Sequence, residues 1–191
     1  MNKTKNLFLI TFVCLLGLTN ISAQTETPRP QPQVEPSYDV ILNVITASNN
    51  ANGKTDVPQT LLNSVKKMKN YFSFKNYNLD STYLQRTSGN IQVKSVLNTA
   101  SQNQENYLPI FSDWSLLGLK SFPSNQVQFQ SFNFGQRIPI RTSSGVFNYE
   151  QVGITLQKFS LPEDTPTVVG SLSGSKADEL IFLVLTVKPT E

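Results

Sequence analysis

Asp178-Glu179-Leu180-Ile181-Phe182-Leu183-Val184-Leu185-Thr186-Val187-Lys188-Pro189 is the stretch for which the rest of the chain has to find partners. From Leu180 to Val187 only Thr186 is polar. The run is short for a helix, rich in branched side chains, and bounded by acids on one side and Lys188-Pro189 on the other. A strand with one wet face would alternate with polar residues, so this one has both faces covered. The cover is either protein on both sides, or protein on one and lipid on the other.

Working back from it, Ser173-Gly174-Ser175-Lys176 is a turn and 167–172 a strand. Leu161-Pro162-Glu163-Asp164 reads as a turn, and 151–158 as a strand with Val152, Ile154 and Leu156 on one face. Segments 138–142 and 146–149 flank Ser143-Ser144-Gly145, a hairpin signal. In 126–134, Val127 and Phe129 share a face before the pattern slips to Phe132 and Phe134, the mark of a bulge. Residues 107–111 are apolar but contain Pro109, which suits an edge or irregular strand. Short strands without helices between them predict one antiparallel layer, a sandwich or a curved sheet.

The front half reads differently. In 38–46, Val40, Leu42 and Val44 share one face while Ile41 and Ile45 share the other, as in a central strand. Asn52-Gly53 is a turn signal. Residues 56–72 predict a helix capped by Asp56, with Pro58 in its first turn and Leu61, Val65, Met68 and Phe72 along one apolar stripe. Lys66, Lys67 and Lys69 gather toward the end where the helix dipole favours cations; a solvated helix end explains them more simply than an anionic partner does. Strands at 74–86 and 90–97 follow around Ser88-Gly89-Asn90, and 100–106 is a polar spacer. The predicted class is α+β: a strand-helix-strand-strand unit over 38–97, then a mainly antiparallel β-sheet domain over 107–191.

The first residues predict an address. Lys3 and Lys5 precede an apolar segment, Leu7 to Leu18, too short to span a bilayer comfortably, and Ile21-Ser22-Ala23 fits a signal-peptidase site. The expectation is a signal peptide over 1–23, with a membrane anchor as the alternative, and a proline-rich linker over 24–37 holding Pro28, Pro30, Pro32 and Pro36. Such cleavage would remove Cys14, the one cysteine, and so exclude disulfide and thiol chemistry from the mature chain. It would also take away Lys3 and Lys5, leaving 14 basic against 13 acidic residues, so the net charge gives no argument for nucleic acid.

Little chemistry is on offer. With no histidine, the usual general base and the commonest metal ligand are both missing. Glu163-Asp164 and Asp178-Glu179 are adjacent acids at strand boundaries, where turns favour them. Ser144-Gly145 and Ser173-Gly174-Ser175 lack a nucleophile-elbow frame. No phosphate-cradling glycine loop is present. Trp114, with Tyr107 and Phe111 nearby, either lines a ligand site or, as is commoner for such aromatics, belongs to the core. The sequence therefore nominates no catalytic, cofactor-binding or metal-binding residue and no cofactor, and the expectation is a non-enzymatic protein.

Three stretches carry a resemblance. Phe134-Gly135-Gln136-Arg137-Ile138-Pro139-Ile140 with Phe147-Asn148-Tyr149-Glu150-Gln151-Val152-Gly153-Ile154-Thr155-Leu156 looks like a glycine–proline strand followed by a Y-x-x-V-G-I-x-L strand. Residues 163–172, Glu163-Asp164-Thr165-Pro166-Thr167-Val168-Val169-Gly170-Ser171-Leu172, look like a glycine hairpin, and 179–189 like the closing strand that follows it. In this order they resemble the secretin domain of the outer-membrane channels of bacterial type II and type III secretion systems. The family places a long gate and lip segment between the glycine hairpin and the closing strand; here only Ser173 to Asp178 intervenes, so the resemblance implies a short, lip-less relative. It implies an exported protein of the periplasm or outer membrane, working in protein secretion or assembly. Its partners would be other envelope or secretion proteins, or further copies of itself, with peripheral association to the outer membrane and no nucleic acid. The alternative is a periplasmic or secreted ligand-binding β-rich module.

Overall fold

In the computed structural model, which describes residues 36–49, 54–97, 108–174 and 178–190, the early and late parts of the chain meet at strand β1 (Ser37–Ser48). A three-residue 3-10 turn (Gln59–Leu61) leads into helix α1 (Leu62–Tyr71). Strands β2 (Asn76–Thr87), β3 (Ile91–Leu97), β4 (Ile110–Leu117), β5 (Lys120–Phe122), β6 (Gln126–Arg141), β7 (Phe147–Pro162), β8 (Thr167–Ser173) and β9 (Glu179–Thr190) follow. The described residues form a β-rich α+β fold with one short α-helix.

All strand pairs are antiparallel, and they make two sheets. The first runs in the order β2-β1-β9-β8, so β9 is paired on both sides, with β1 from Ser37↔Thr190 to Ser48↔Glu179 and with β8 over Thr167–Ser173. The second runs β3-β4-β6-β7, with β5 beside the start of β6. The final third is thus not one layer: the chain changes sheet between β7 and β8. The stretches 38–97 and 107–191 each contribute to both sheets, and all the described residues fall within one compact unit, Glu35–Glu191.

Three layers result. Between the sheets lie Tyr38, Val40, Leu42 and Val44 of β1 and Leu183, Leu185 and Val187 of β9. Against them pack Trp114, Leu116, Phe129, Phe132 and Phe134 of the second sheet. On the other face of β1 and β9, Ile45, Ala47, Phe182 and Val184 pack under Leu61, Val65 and Met68 of the helical segment, with Tyr77. The apolar run of β9 is accordingly covered by protein on both faces, from Phe182 to Val187. Full burial of such a side chain contributes about 1.5–3 kcal/mol. Tyr38, completely buried, keeps its hydroxyl satisfied by donating to Ser121 Oγ at 2.9 Å; Ser121 in turn donates to Glu163 Oε1 at 3.0 Å.

The apolar stripe of the helix lands as expected, but its start does not. Asp56 is a bridge residue beside β2: its N–H bonds Tyr77 O at 2.9 Å, and its carbonyl accepts from Leu79 N at 3.0 Å. A residue tied into a ladder cannot cap a helix. Pro58 is still extended (φ −56, ψ 150), and the helical turns begin only after it, without a side-chain cap. Residues 112–117 continue the strand expected to stop at 111, and β7 runs on through Leu161 and Pro162, where a turn was expected. The expected signal peptide, the linker up to 35, Asn52-Gly53, the 100–106 spacer and Ser175-Lys176 lie outside the described residues.

The slip within 126–134 has a counterpart across the ladder. Gln130 and Lys158 are unpaired between Phe129↔Phe159 and Ser131↔Gln157, and Lys158 takes φ +50. Both strands exchange faces there, so Phe129 and Phe132 point into the same core.

At the surface, Arg86 donates from Nε to Asp39 Oδ1 at 2.7 Å and from Nη2 to Oδ2 at 3.0 Å. These bonds hold the Asp39 carboxyl below the usual carboxylate range. A folded-state value below the unfolded one means that the pair's contribution is complete above the ordinary carboxylate pKa and disappears as pH falls through the lower folded value. Both side chains are at the surface, so Arg86→Gln is expected to leave the melting temperature almost unchanged. The same variant should move the Asp39 titration upward, measured by carboxyl-carbon NMR; an unmoved titration would contradict the pairing.

Candidate interaction surface

The β6–β7 hairpin is the longest element, with strands of 16 residues each. Its turn is built by Thr142, whose N–H bonds Val146 O at 2.8 Å, and by Gly145 at φ +82, whose N–H bonds Thr142 O at 3.0 Å. β4 follows β6 only as far as Arg137, so among the described residues the arms beyond it pair only with each other. Pro139 sits in that part, where β6 has lost its second neighbour and a missing N–H is tolerated. Large apolar side chains stay exposed at this end: Ile140 (45%), Val146 (60%), Phe147 (42%) and Tyr149 (40%).

Both ends of the second sheet are open. β7 pairs with β6 alone and β3 with β4 alone, among the described residues. Unpaired edges invite another strand, and proteins usually block them with charge, proline or cover. Between Phe147 and Gln157, β7 carries one charged residue, Glu150, and no proline.

The face of the second sheet turned away from the core is polar, and the register arranges it in rows. Gln92, Ser115, Asn133 and Thr155 make one row; Lys94, Asp113, Gly135 and Gly153 the next; Val96, Phe111, Arg137 and Gln151 the third. The two adjacent glycines make the middle row a trench from Asp113 to the β7 edge, part of a depression of about 420 Å³. The trench continues into a neighbouring depression of about 370 Å³ lined by Lys94, Phe111 and Arg137. The outer rows are four residues apart along the strands, roughly 13 Å at about 3.3 Å per residue.

Two polar groups converge over its floor. A Cβ built on Gly135 would lie 2.9 Å from Asp113 Oδ1 and 3.2 Å from Gln151 Nε2. The Asp113 carboxylate has no hydrogen-bond or ion-pair partner among the described residues. At one end, the Arg137 guanidinium lies 4.8 Å from the centroid of Phe111, whose ring meets Tyr149 edge-on at 5.5 Å.

Of the residues singled out from the sequence, Trp114 belongs to the core: it is 2% exposed and packs against Tyr83 and Phe132 at 6.2 and 6.4 Å between ring centres. Phe111 is on the opposite, outward face. Lys66, Lys67 and Lys69 are all exposed, and Lys69 Nζ lies 5.5 Å from the Tyr77 ring centre. Asp113, Asn133 and Gln151 escaped sequence reading, because their shared face follows only from the pairing of β4, β6 and β7. One signal was present: Gly135 and Gly153 stand equally far from Ser144, so a hairpin turning there sets them opposite each other.

Among the described residues, no cluster of three or more acidic, histidine or cysteine side chains could hold a metal ion, and no helix is long and apolar enough to cross a membrane. Compared with known proteins, the chain matches no family model, no curated protein and no solved structure.

Proposed function

We propose that the chain is a non-enzymatic, secretin-like protein of the bacterial envelope that works by edge-to-edge self-assembly in secretion or assembly at the outer membrane. The observation that carries this reading is the pair of open edges on the second sheet. β3 and β7 run in opposite directions, so the β7 edge of one copy meets the β3 edge of the next in antiparallel alignment, and the sheet continues from copy to copy. The sparse charge along 147–157, where Glu150 stands alone, and the apolar end of the hairpin support the same reading. So do the three stretches that resemble secretins: the first spans both arms of the β6–β7 hairpin, the second leads into β8, and the third is β9. The absence of histidine and the scarcity of clustered acids favour a structural role over a catalytic one.

The test is the mass of the chain from Gln24 onward in detergent and in lipid, beside fractionation of the envelope. A discrete oligomer is expected. Asn148→Lys with Gln157→Lys, both at exposed positions of β7, should convert it to monomer without lowering the melting temperature. A strictly monomeric protein in both media, accompanying no envelope fraction, would sink the proposal.

A further inference from the structure

We infer that the trench floored by Gly135 and Gly153 binds a neutral oligosaccharide. A sugar hydroxyl needs an acceptor and a donor together, and the Asp113 carboxylate and Gln151 amide supply both over Gly135. The wall formed by Asn133, Ser115 and Thr155 repeats this chemistry with an amide and two hydroxyls. Asn133 Nδ2 reaches Ser115 Oγ at 3.3 Å, a contact that leaves the hydroxyl proton of Ser115 available.

The charge arrangement selects a neutral ligand. An anion in the trench would face the unpaired Asp113, while a cation would be opposed by Lys94, across from Asp113 on β3, and by Arg137, one row over on β6. The size suits a saccharide also: the depression of about 420 Å³ takes a hexose ring beside the Asp113 and Gln151 side chains that reach over Gly135. Tyr149, beyond Gln151 on the same face of β7, offers an aromatic surface for the next sugar unit. The inference stands apart from self-assembly, since the trench opens on the face of the sheet and is complete within one chain.

The experiment is amide NMR of the labelled chain titrated with chitotetraose, maltotetraose and mannotetraose. At least one should shift resonances confined to the trench, around Asp113, Asn133, Gly135, Gln151 and Gly153. Asp113→Ala is expected to weaken that binding about tenfold or more, as for loss of a hydrogen bond to a charged group. Gly135→Ala, whose new methyl meets only the movable ends of Asp113 and Gln151, should abolish binding while the protein stays folded. Gln151→Ala serves if either variant unfolds. Three outcomes overturn the inference: no trench shifts with any of the three sugars, shifts that survive these substitutions, or equal shifts with glycerol at matched hydroxyl concentration. Oligomeric state, measured in the same samples, reports separately on self-assembly.

Discussion

Phe182→Ala is expected to cost about 3–5 kcal/mol of stability, the range for deleting a buried aromatic ring. The side chain is 1% exposed, meets Phe72 edge-on at 5.0 Å and lies 6.3 Å from Tyr77, so its removal opens the space between the helix and the first sheet. For a domain of this size the melting temperature should fall by roughly 10 °C. Leu185→Ala, on the opposite face of the same strand and completely buried, should cost about 2–5 kcal/mol by emptying the space between the sheets. A melting curve for either variant that overlays the parent would mean that β9 is not the shared wall of both cores. The contrast with Thr186→Val is instructive, since that position is 7% exposed and needs no cavity to open.

The second large effect is expected at Gly153. A methyl there would meet the carbonyl oxygen of Phe134 at 2.3 Å and the Cα of Gly135 at 3.0 Å, both backbone atoms that cannot swing aside. Gly153→Ala should therefore destabilise by about 1–3 kcal/mol, toward the upper end, as the two strands are forced apart. Gly170→Ala is the control. Its methyl would meet Ile154 Cδ1 at 2.3 Å, but that atom is the end of a flexible side chain, so the cost should be slight. Thermal melts of the two variants in parallel check this, and equal losses would show that backbone crowding is not what holds Gly153.

Some of this architecture can be read without coordinates. The apolar run of β9 announces coverage on two faces, and the mixed faces of β1 announce the same. Leu61, Val65 and Met68 mark the buried side of the helix whatever caps it. The hairpin turn at 143–145 is written in Ser-Ser-Gly. What could not be read is the sorting of strands into sheets. β8 and β9 leave the layer of β6 and β7 because β9 is claimed by β1, a pairing across the length of the domain with no local signal. Gly135, Pro139 and Gly153 made two long strands look like four short ones, since each residue weakens a strand pattern in isolation. Trp114 was ambiguous because inward and outward positions in β4 are both rich in serine, at Ser112 and Ser115. The trench was hidden for a related reason: its residues come from four strands and adjoin only through register.

The union of β1 with β9 also sets when the protein can finish folding. Ser37 meets Thr190, so the first described strand waits for the last before its second ladder can form. Closing so long a loop is entropically slow, and topologies dominated by distant pairings fold in milliseconds to seconds rather than microseconds. A chain that emerges N-terminus first lacks the shared wall of both cores until β9 has emerged. Until then the aromatic interior stays open to chaperones, and loss of β9 would remove a wall from both cores at once.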